Sequence, residues 1–225
     1  MPTVLLTGAN RGLGLEFSRQ YAEAGWRVVA TCRDPRNAEA LRGVPGNVEI
    51  HDLDATDFAG VHRLAKTLGD TAIDVLIANA GIVGPREMTS DAIDAAAWAE
   101  VFRVNAMAPL ALAGAFRKHV ARSDQRKAVA ISSRLGSMAA NTDGGLYVYR
   151  SSKAALNAVW RSFAFDNKAL VAAVLHPGWV RTDMGGASAP VMPADSVAGM
   201  RRVIAALKTK DSGSFFAYDG EALPW

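Results

Sequence analysis

Tyr149 and Lys153 stand four residues apart, at the head of a small, Ala-rich run that continues through Asn157. Such a run suits a tightly packed helix, and residues four apart on a helix share one face. The pair would therefore set a phenol beside an ammonium. A phenol alone titrates near ~10 and is a poor acid at neutral pH. A cation close by favours the phenolate and brings that value down. Lowering it by ~3 units takes roughly 4 kcal/mol of differential interaction, a demand that one partly desolvated lysine and a bound cationic cofactor can meet. The pair would then donate and accept protons near pH 7. By itself it reads equally well as a helix start with a solvated lysine, so its meaning rests on the elements that must position it.

A hydroxyl that could donate to a carbonyl oxygen comes next. The apolar run Ala128 to Ile131 reads as a strand and delivers Ser132 and Ser133, then a loop rich in Gly, Ser, Asn and Asp up to Gly145. Ligands in doubly wound sheets sit at strand ends, and either serine fits the role. Asn105 lies in Phe102-Arg103-Val104-Asn105-Ala106, inside a helix expected from about Ala95 to Ala121. A buried amide must be hydrogen-bonded. It is either a satisfied core residue or a kink-stabiliser holding a water that leads to Lys153. Pro109 is expected to bend this helix.

The chain opens with Thr3 to Thr7, an apolar run of the kind a parallel sheet buries on both faces. Gly8-Ala9-Asn10-Arg11-Gly12-Leu13-Gly14 follows, then a helical pattern through about Ala24. A glycine-rich turn between strand and helix gathers backbone N–H groups and the positive helix end at one point, which suits a phosphate. Gly12 and Gly14 are expected to let the backbone approach a pyrophosphate. The second strand, about Trp26 to Thr31, ends where such folds meet an adenosine ribose. Asp34 precedes Pro35 and reads as a helix cap rather than a ribose ligand. Arg33, with Arg11, is placed to clamp a 2′-phosphate through planar guanidinium groups, unless both are ordinary surface arginines. The pairing favours NADP over NAD. After the third strand, Val48 to His51, Asp54 is placed to accept from an adenine amino group, with helix capping as the alternative for it or for Asp57. The fourth strand, Ile73 to Ala78, ends in Asn79-Ala80-Gly81, small residues against which a flat cofactor can lie.

Beyond the Tyr149 helix, a sixth strand from Leu170 to His176 leads into Pro177-Gly178-Trp179-Val180-Arg181-Thr182-Asp183. Thr182 is placed to bond a nicotinamide carboxamide. The segment around 184–194 is rich in Gly, Ser, Ala and Met and suggests a mobile substrate lid. A helix from about Asp195 to Leu207 and a strand from about Ser214 to Ala217 complete the chain.

Composition narrows the function. At 225 residues and 50% hydrophobic, the chain suits one α/β domain with a large core. Net charge is +3 and the pI 9.2, but the basic residues are scattered, which argues against nucleic-acid binding. Cys32 is the single cysteine, so neither an internal disulfide nor a cysteine-based zinc site is expected, and the four histidines show no metal-ligand spacing. No G-x-S-x-G nucleophile pattern occurs. With no signal peptide and no membrane-length apolar run, a soluble cytoplasmic protein is expected.

These motifs, in this order, resemble the short-chain dehydrogenase/reductase superfamily along the whole chain. Thr7 to Gly14, Asn79 to Gly81, Asn105, Ser132-Ser133, Tyr149 to Lys153 and Pro177-Gly178 carry the resemblance. Ser133 to Ser137, the stretch from His176 to Gly186, and the terminal Asp219 to Trp225 are similar to the C-factor and Sniffer-type carbonyl reductases. The resemblance implies a single-domain Rossmann fold, residues 1–225, with a doubly wound parallel sheet of about seven strands. It implies a catalytic tetrad of Asn105, Ser133, Tyr149 and Lys153. NADP(H) would be held by Gly8, Asn10, Arg11, Gly12, Leu13, Gly14, Arg33, Asp54, Ala55, Asn79, Ala80, Gly81, Tyr149, Lys153, Pro177, Gly178, Val180 and Thr182. The substrate would be a small carbonyl or alcohol, with no metal, nucleic-acid or membrane partner and a possible homodimer or homotetramer. The alternative is an NADP-binding signalling protein of the C-factor type with little turnover. Two departures stand out. Ser133 and Tyr149 lie sixteen apart, more than the family's usual spacing, which keeps Ser132 in play. The segment Asp166-Asn167-Lys168 is also short, which bears on the helix pair that usually forms the family's dimer.

Overall fold

The first strand, β1 (Thr3–Thr7), is buried at every position, as an apolar run covered on both faces must be. The computed structural model describes residues 1–225. Around β1 assemble β2 (Arg27–Cys32), β3 (Val48–Asp52), β4 (Val75–Ala78), β5 (Lys127–Ile131), β6 (Val171–His176) and β7 (Phe215–Ala217). They form one sheet in the order β3-β2-β1-β4-β5-β6-β7, and every neighbouring pair is parallel. The expected Rossmann architecture is the observed one.

The strand period of two sorts side chains onto opposite faces. Leu5, Val29, Leu76, Ala128 and Val174 pack against α3 (Phe58–Leu68), α5 (Ala108–Ala121) and α6 (Tyr147–Asp166). Val4, Leu6, Val28, Ile77 and Val129 pack instead against α1 (Gly12–Glu23), the short α2 (Glu39–Arg42) and α7 (Pro193–Ala206). The remaining helix, α4 (Ala95–Phe102), leads towards α5 on the first side. Strand order reverses at β1, which has β2 on one flank and β4 on the other. The C-terminal ends of β1 and β4 therefore open a crevice at the switch point.

Local chemistry sets the helix starts. Asp57 caps α3 by accepting from the Gly60 N–H at 2.9 Å. Asp34 accepts from the N–H groups of Arg36 and Asn37, at 3.1 and 3.4 Å, and from the Asn37 side chain at 2.6 Å. It is a cap, as its place before Pro35 suggests. The helix expected over residues 95–121 is continuous, and a π-turn, Arg103–Met107, joins α4 to α5 around Asn105. Pro109 has no N–H to give the carbonyl four residues back, and that carbonyl belongs to Asn105. The irregularity therefore lies upstream of the proline.

His176 ends β6 with its Nδ1 buried and without a partner. Burial, aided by the Arg134 cation and opposed by Asp219, pushes its pKa down to about 4. As pH falls from 6.5 towards 4, the unfolded chain takes up this proton and the folded chain does not, so stability is lost in that window. Urea midpoints should show wild type losing up to about 3 kcal/mol more than His176→Asn between those pH values. Parallel curves would mean that His176 titrates normally in the fold.

Candidate active site

Where β1 ends, the chain turns sharply. Gly8 and Gly12 take φ of 67° and 54°, in the left-handed region that suits glycine. Gly14 serves a different purpose from the expected pyrophosphate approach. A Cβ there would overlap the Gly8 carbonyl oxygen and crowd the Asn79 amide, so its absence lets the turn fold back onto the start of α1. Asn79 braces the same turn. Its Nδ2 donates to the carbonyls of Thr7 and Gly8, at 2.8 and 3.3 Å, while Thr7 Oγ1 accepts from the N–H groups of Asn79 and Ala80. The ends of β1 and β4 are thus locked together, leaving the turn's amides and the start of α1 at the crevice.

That crevice is a cleft of about 1070 Å³. It brings together Gly8, Asn10, Arg11, Gly12, Leu13, Arg33, Asp54, Ala55, Asn79, Ala80, Gly81, Tyr149, Lys153, Pro177 and Thr182. Arg33 follows β2 and the two serines follow β5, three strand spacings away, or roughly 14 Å. That length suits an extended dinucleotide. Arg33 forms no hydrogen bond or ion pair within the chain, although its charge helps hold Asp54 below the usual carboxylate range, after the Thr56 backbone bond. Asp54 takes both Thr56 bonds on Oδ1, each 2.8 Å, so it closes its own turn and keeps Oδ2 free. Arg11 pairs with Asp183 at 3.3 Å, an exposed contact of the kind that contributes little. Five expected positions stand back from the cleft: Asn105 and Ser133, described below, and three others. Gly14 is buried under the turn, Gly178 backs onto the Tyr218 ring, and Val180 is 5% exposed and bridged to Val191.

At the other end of the cleft lies α6. Its first residue follows Gly144, Gly145 and Leu146, all with positive φ. Leu146, at φ 47°, carries real backbone strain. These three residues close the long loop after Ser133 and bring Tyr149 to the cleft. Lys153, one turn on, is 4% exposed and donates to the Ile131 carbonyl at 2.9 Å. Burial alone pushes its pKa down to about 8. Its ammonium sits 5.8 Å from the Tyr149 ring centroid. The Tyr149 phenol is shifted up by burial, with Ser133 and the Arg86 cation pulling the other way. The lowering expected of Lys153 together with a bound cationic cofactor is not supplied by the chain alone, because the ammonium is aimed at a strand carbonyl while burial dominates. Burial thus favours the protonated phenol.

The two serines separate cleanly. Ser132 donates to Asn157 Oδ1 at 2.6 Å, in a buried pair. Ser133 accepts the Leu135 N–H at 3.2 Å, which fixes its oxygen, and it stands near enough to the Tyr149 phenol to favour its ionised form, with no hydrogen bond between them within 3.5 Å. Ser132 borders the cleft and Ser133 does not, and alternation along the strand end turns the two side chains to different sides. Asn105 is fully buried, and its amide is satisfied. Nδ2 donates to the Ile82 carbonyl at 2.8 Å and Ser152 Oγ at 2.9 Å, while Oδ1 accepts the Ile82 N–H at 2.9 Å. The side chain fastens the loop after β4 to α6, and the backbone carbonyl is what Pro109 leaves without a donor. The sequence carried that signal in the four-residue Asn–Pro spacing. Arg86 gave none, being one polar residue in an irregular loop, yet it lines the cleft.

A family model described as short chain dehydrogenase matches residues 2–191. "C-signal" of Myxococcus xanthus is 46% identical over 155 residues, covering 68% of this chain and 93% of the relative. Among solved structures, the carbonyl reductase Sniffer of D. melanogaster superposes with a TM-score of 0.91 at 34% identity, each chain covered in full. The NADPH-bound carbonyl reductase from chicken fatty liver gives 0.91 at 35%, covering all of this chain and 99% of that one.

The serine geometry predicts unequal stability costs. Ser132→Ala should cost about 1–3 kcal/mol by leaving Asn157 Oδ1 buried without a donor. Ser133→Ala should cost less, because the Leu135 N–H it frees is only part-buried. Urea unfolding of both variants checks the ranking, and the reverse order would overturn the assignment of their partners.

Proposed function

The chain belongs to the short-chain dehydrogenase family, and from that premise we propose that it is an NADPH-dependent carbonyl reductase reducing an aldehyde, ketone or quinone to an alcohol. The observation carrying this reading is Tyr149 and Lys153 side by side on the cleft wall, the ammonium 5.8 Å from the Tyr149 ring centroid. NADPH fits the residues present. The braced turn of Gly8 to Gly14 at the head of α1 suits the pyrophosphate. Arg33 has an unpaired guanidinium where a 2′-phosphate would sit, and Asp34, the carboxylate that would favour NAD, is engaged as a cap. Arg11 would leave its exposed pair with Asp183 to assist. Asp54 and Ala55 would take the adenine, Asn79 to Gly81 the flat face, Tyr149 and Lys153 the ribose, and Pro177 to Thr182 the nicotinamide end.

When bound, NADPH supplies the hydride. Tyr149 would give its phenolic proton to the carbonyl oxygen, and Ser133 would donate a hydrogen bond to that oxygen. Lys153 would hold the ribose and return a proton to Tyr149. The Asn105 carbonyl would hold the relay water while its side chain keeps α6 and the β4 loop in register. The segment 184–194 would act as the substrate lid. A second reading, a signalling protein of the C-factor type with little turnover, draws on the identity to "C-signal".

Tyr149→Phe should lower kcat by at least ~10²-fold with NADPH binding near normal, because only the proton donor is removed. Near-wild-type turnover would refute the role of Tyr149. No turnover of any carbonyl by wild type would favour the signalling reading. Arg33→Ala should weaken NADPH by roughly tenfold to a hundredfold and leave NADH nearly unchanged, an effect that shrinks with salt. Titration of wild type and Arg33→Ala with both cofactors measures this. Equal losses for the two cofactors would make Arg33 structural.

A further inference from the structure

Arg86 is one cation the proposed chemistry does not use. It sits in the irregular stretch between β4 and α4, on the cleft wall. Its Nη2 donates to the Met184 carbonyl at 2.8 Å, across the cleft mouth. Of the other arginines in or near the cleft, Arg11 meets Asp183 and Arg134 meets Glu221, Arg103 like Arg86 has only a backbone carbonyl, that of Thr56, and Arg33 is free at the far end. No carboxylate pairs with Arg86. A guanidinium has five N–H donors in a planar fork, and only one bond here is made within the chain.

The neighbourhood says what would fill the rest. Ile82, Val83 and Met184 line the cleft with apolar surface. Arg86 and Tyr149 line the same cleft, and the Arg86 cation acts on the Tyr149 phenol, so the guanidinium is within electrostatic range of the proposed reaction centre. Asp183 is already taken by Arg11. A planar cation with a free edge beside apolar walls is suited to a carboxylate on an otherwise apolar molecule, because the fork matches two oxygens at once.

Resting on the carbonyl-reductase reading, we propose that Arg86 selects the substrate, and that the preferred substrate is a carbonyl compound bearing a carboxylate. One guanidinium edge holds the Met184 carbonyl and the other grips the carboxylate. Substrate charge and lid position thus meet in a single side chain.

The test compares 4-formylbenzoate with its methyl ester, which keeps the aldehyde and the ring and removes the charge. NADPH oxidation is followed for wild type, Arg86→Gln and Arg86→Lys. Wild type should favour the acid in kcat/KM by tenfold or more. Arg86→Gln should collapse that ratio at least tenfold, mainly through KM, and Arg86→Lys should restore part of it because it keeps the charge but not the fork. An unchanged ratio in Arg86→Gln would show that Arg86 only ties down the lid, and no preference in wild type would refute the proposal. A second readout needs no turnover: benzoate, but not methyl benzoate, should raise the Tm of the NADP-bound wild type and not of Arg86→Gln. If benzoate stabilises as stated while neither aldehyde reacts, the anion site stands and the reductase reading fails. If the ester reacts and benzoate has no effect, the reductase reading stands and this proposal fails.

Discussion

A lysine ammonium buried to 4% exposure is the constraint on which this cleft depends. Burial of a charge is costly unless it is bonded, and Lys153 has a single protein acceptor, the Ile131 carbonyl at the end of β5. To reach it, α6 must lie hard against the loop that follows that strand. Gly136 permits this approach, since a Cβ there would come within 2.7 Å of the Lys153 carbonyl carbon. On the other side Gly81 leaves room for the ammonium, with a would-be Cβ 3.5 Å from Nζ and 3.3 Å from Asn105 Oδ1. Asn105 then ties Ile82 to Ser152, one residue before the lysine. Three chain segments far apart in sequence are held in place around one desolvated cation.

The same economy of space explains how charge is laid out along the cleft. Arg33 and Asp54 stand at the β2–β3 end, where a phosphate-bearing group is proposed to bind. Tyr149, Ser133 and Arg86 stand at the β5–β6 end, where the chemistry is proposed. The braced turn between Thr7, Gly8 and Asn79 separates the two. The C-terminal tail supports the reactive end from behind. Arg134 pairs with Glu221 at 2.7 Å, Ala139 donates to the Trp225 carbonyl, and Trp225 stacks on Phe215 at 5.6 Å. The long loop after Ser133 is thereby pinned at its start, and the left-handed run from Gly144 to Leu146 steers its exit into α6.

Much of this was legible in the chain. Most strands are short apolar runs, so their places along the chain could be read from pattern, while β3, Val-Glu-Ile-His-Asp at the sheet edge, is only half-buried, and the doubly wound parallel pairing was what the family resemblance implied. Asp34 and Asp57 were readable as caps because a cap is a local device. The Tyr149–Lys153 pair was readable because helix periodicity places it on one face. What required the tertiary structure is everything decided by contacts between distant segments. Which serine stands near Tyr149 depends on Asn157 taking the other. The sign of the Tyr149 shift depends on burial outweighing a lysine that turns to a strand carbonyl. Gly14 proved to be a packing position because Gly8 folds back over it. Asn105 proved to be a fastener because Ile82 and Ser152 arrive from either side. Arg86 lay unnoticed in a loop because nothing local marks a side chain whose partner is 98 residues away. Sequence determines the elements and the chemistry they carry. Long-range packing alone decides where each polar group finds its partner, because desolvation and hydrogen bonding depend on neighbours in space rather than along the chain.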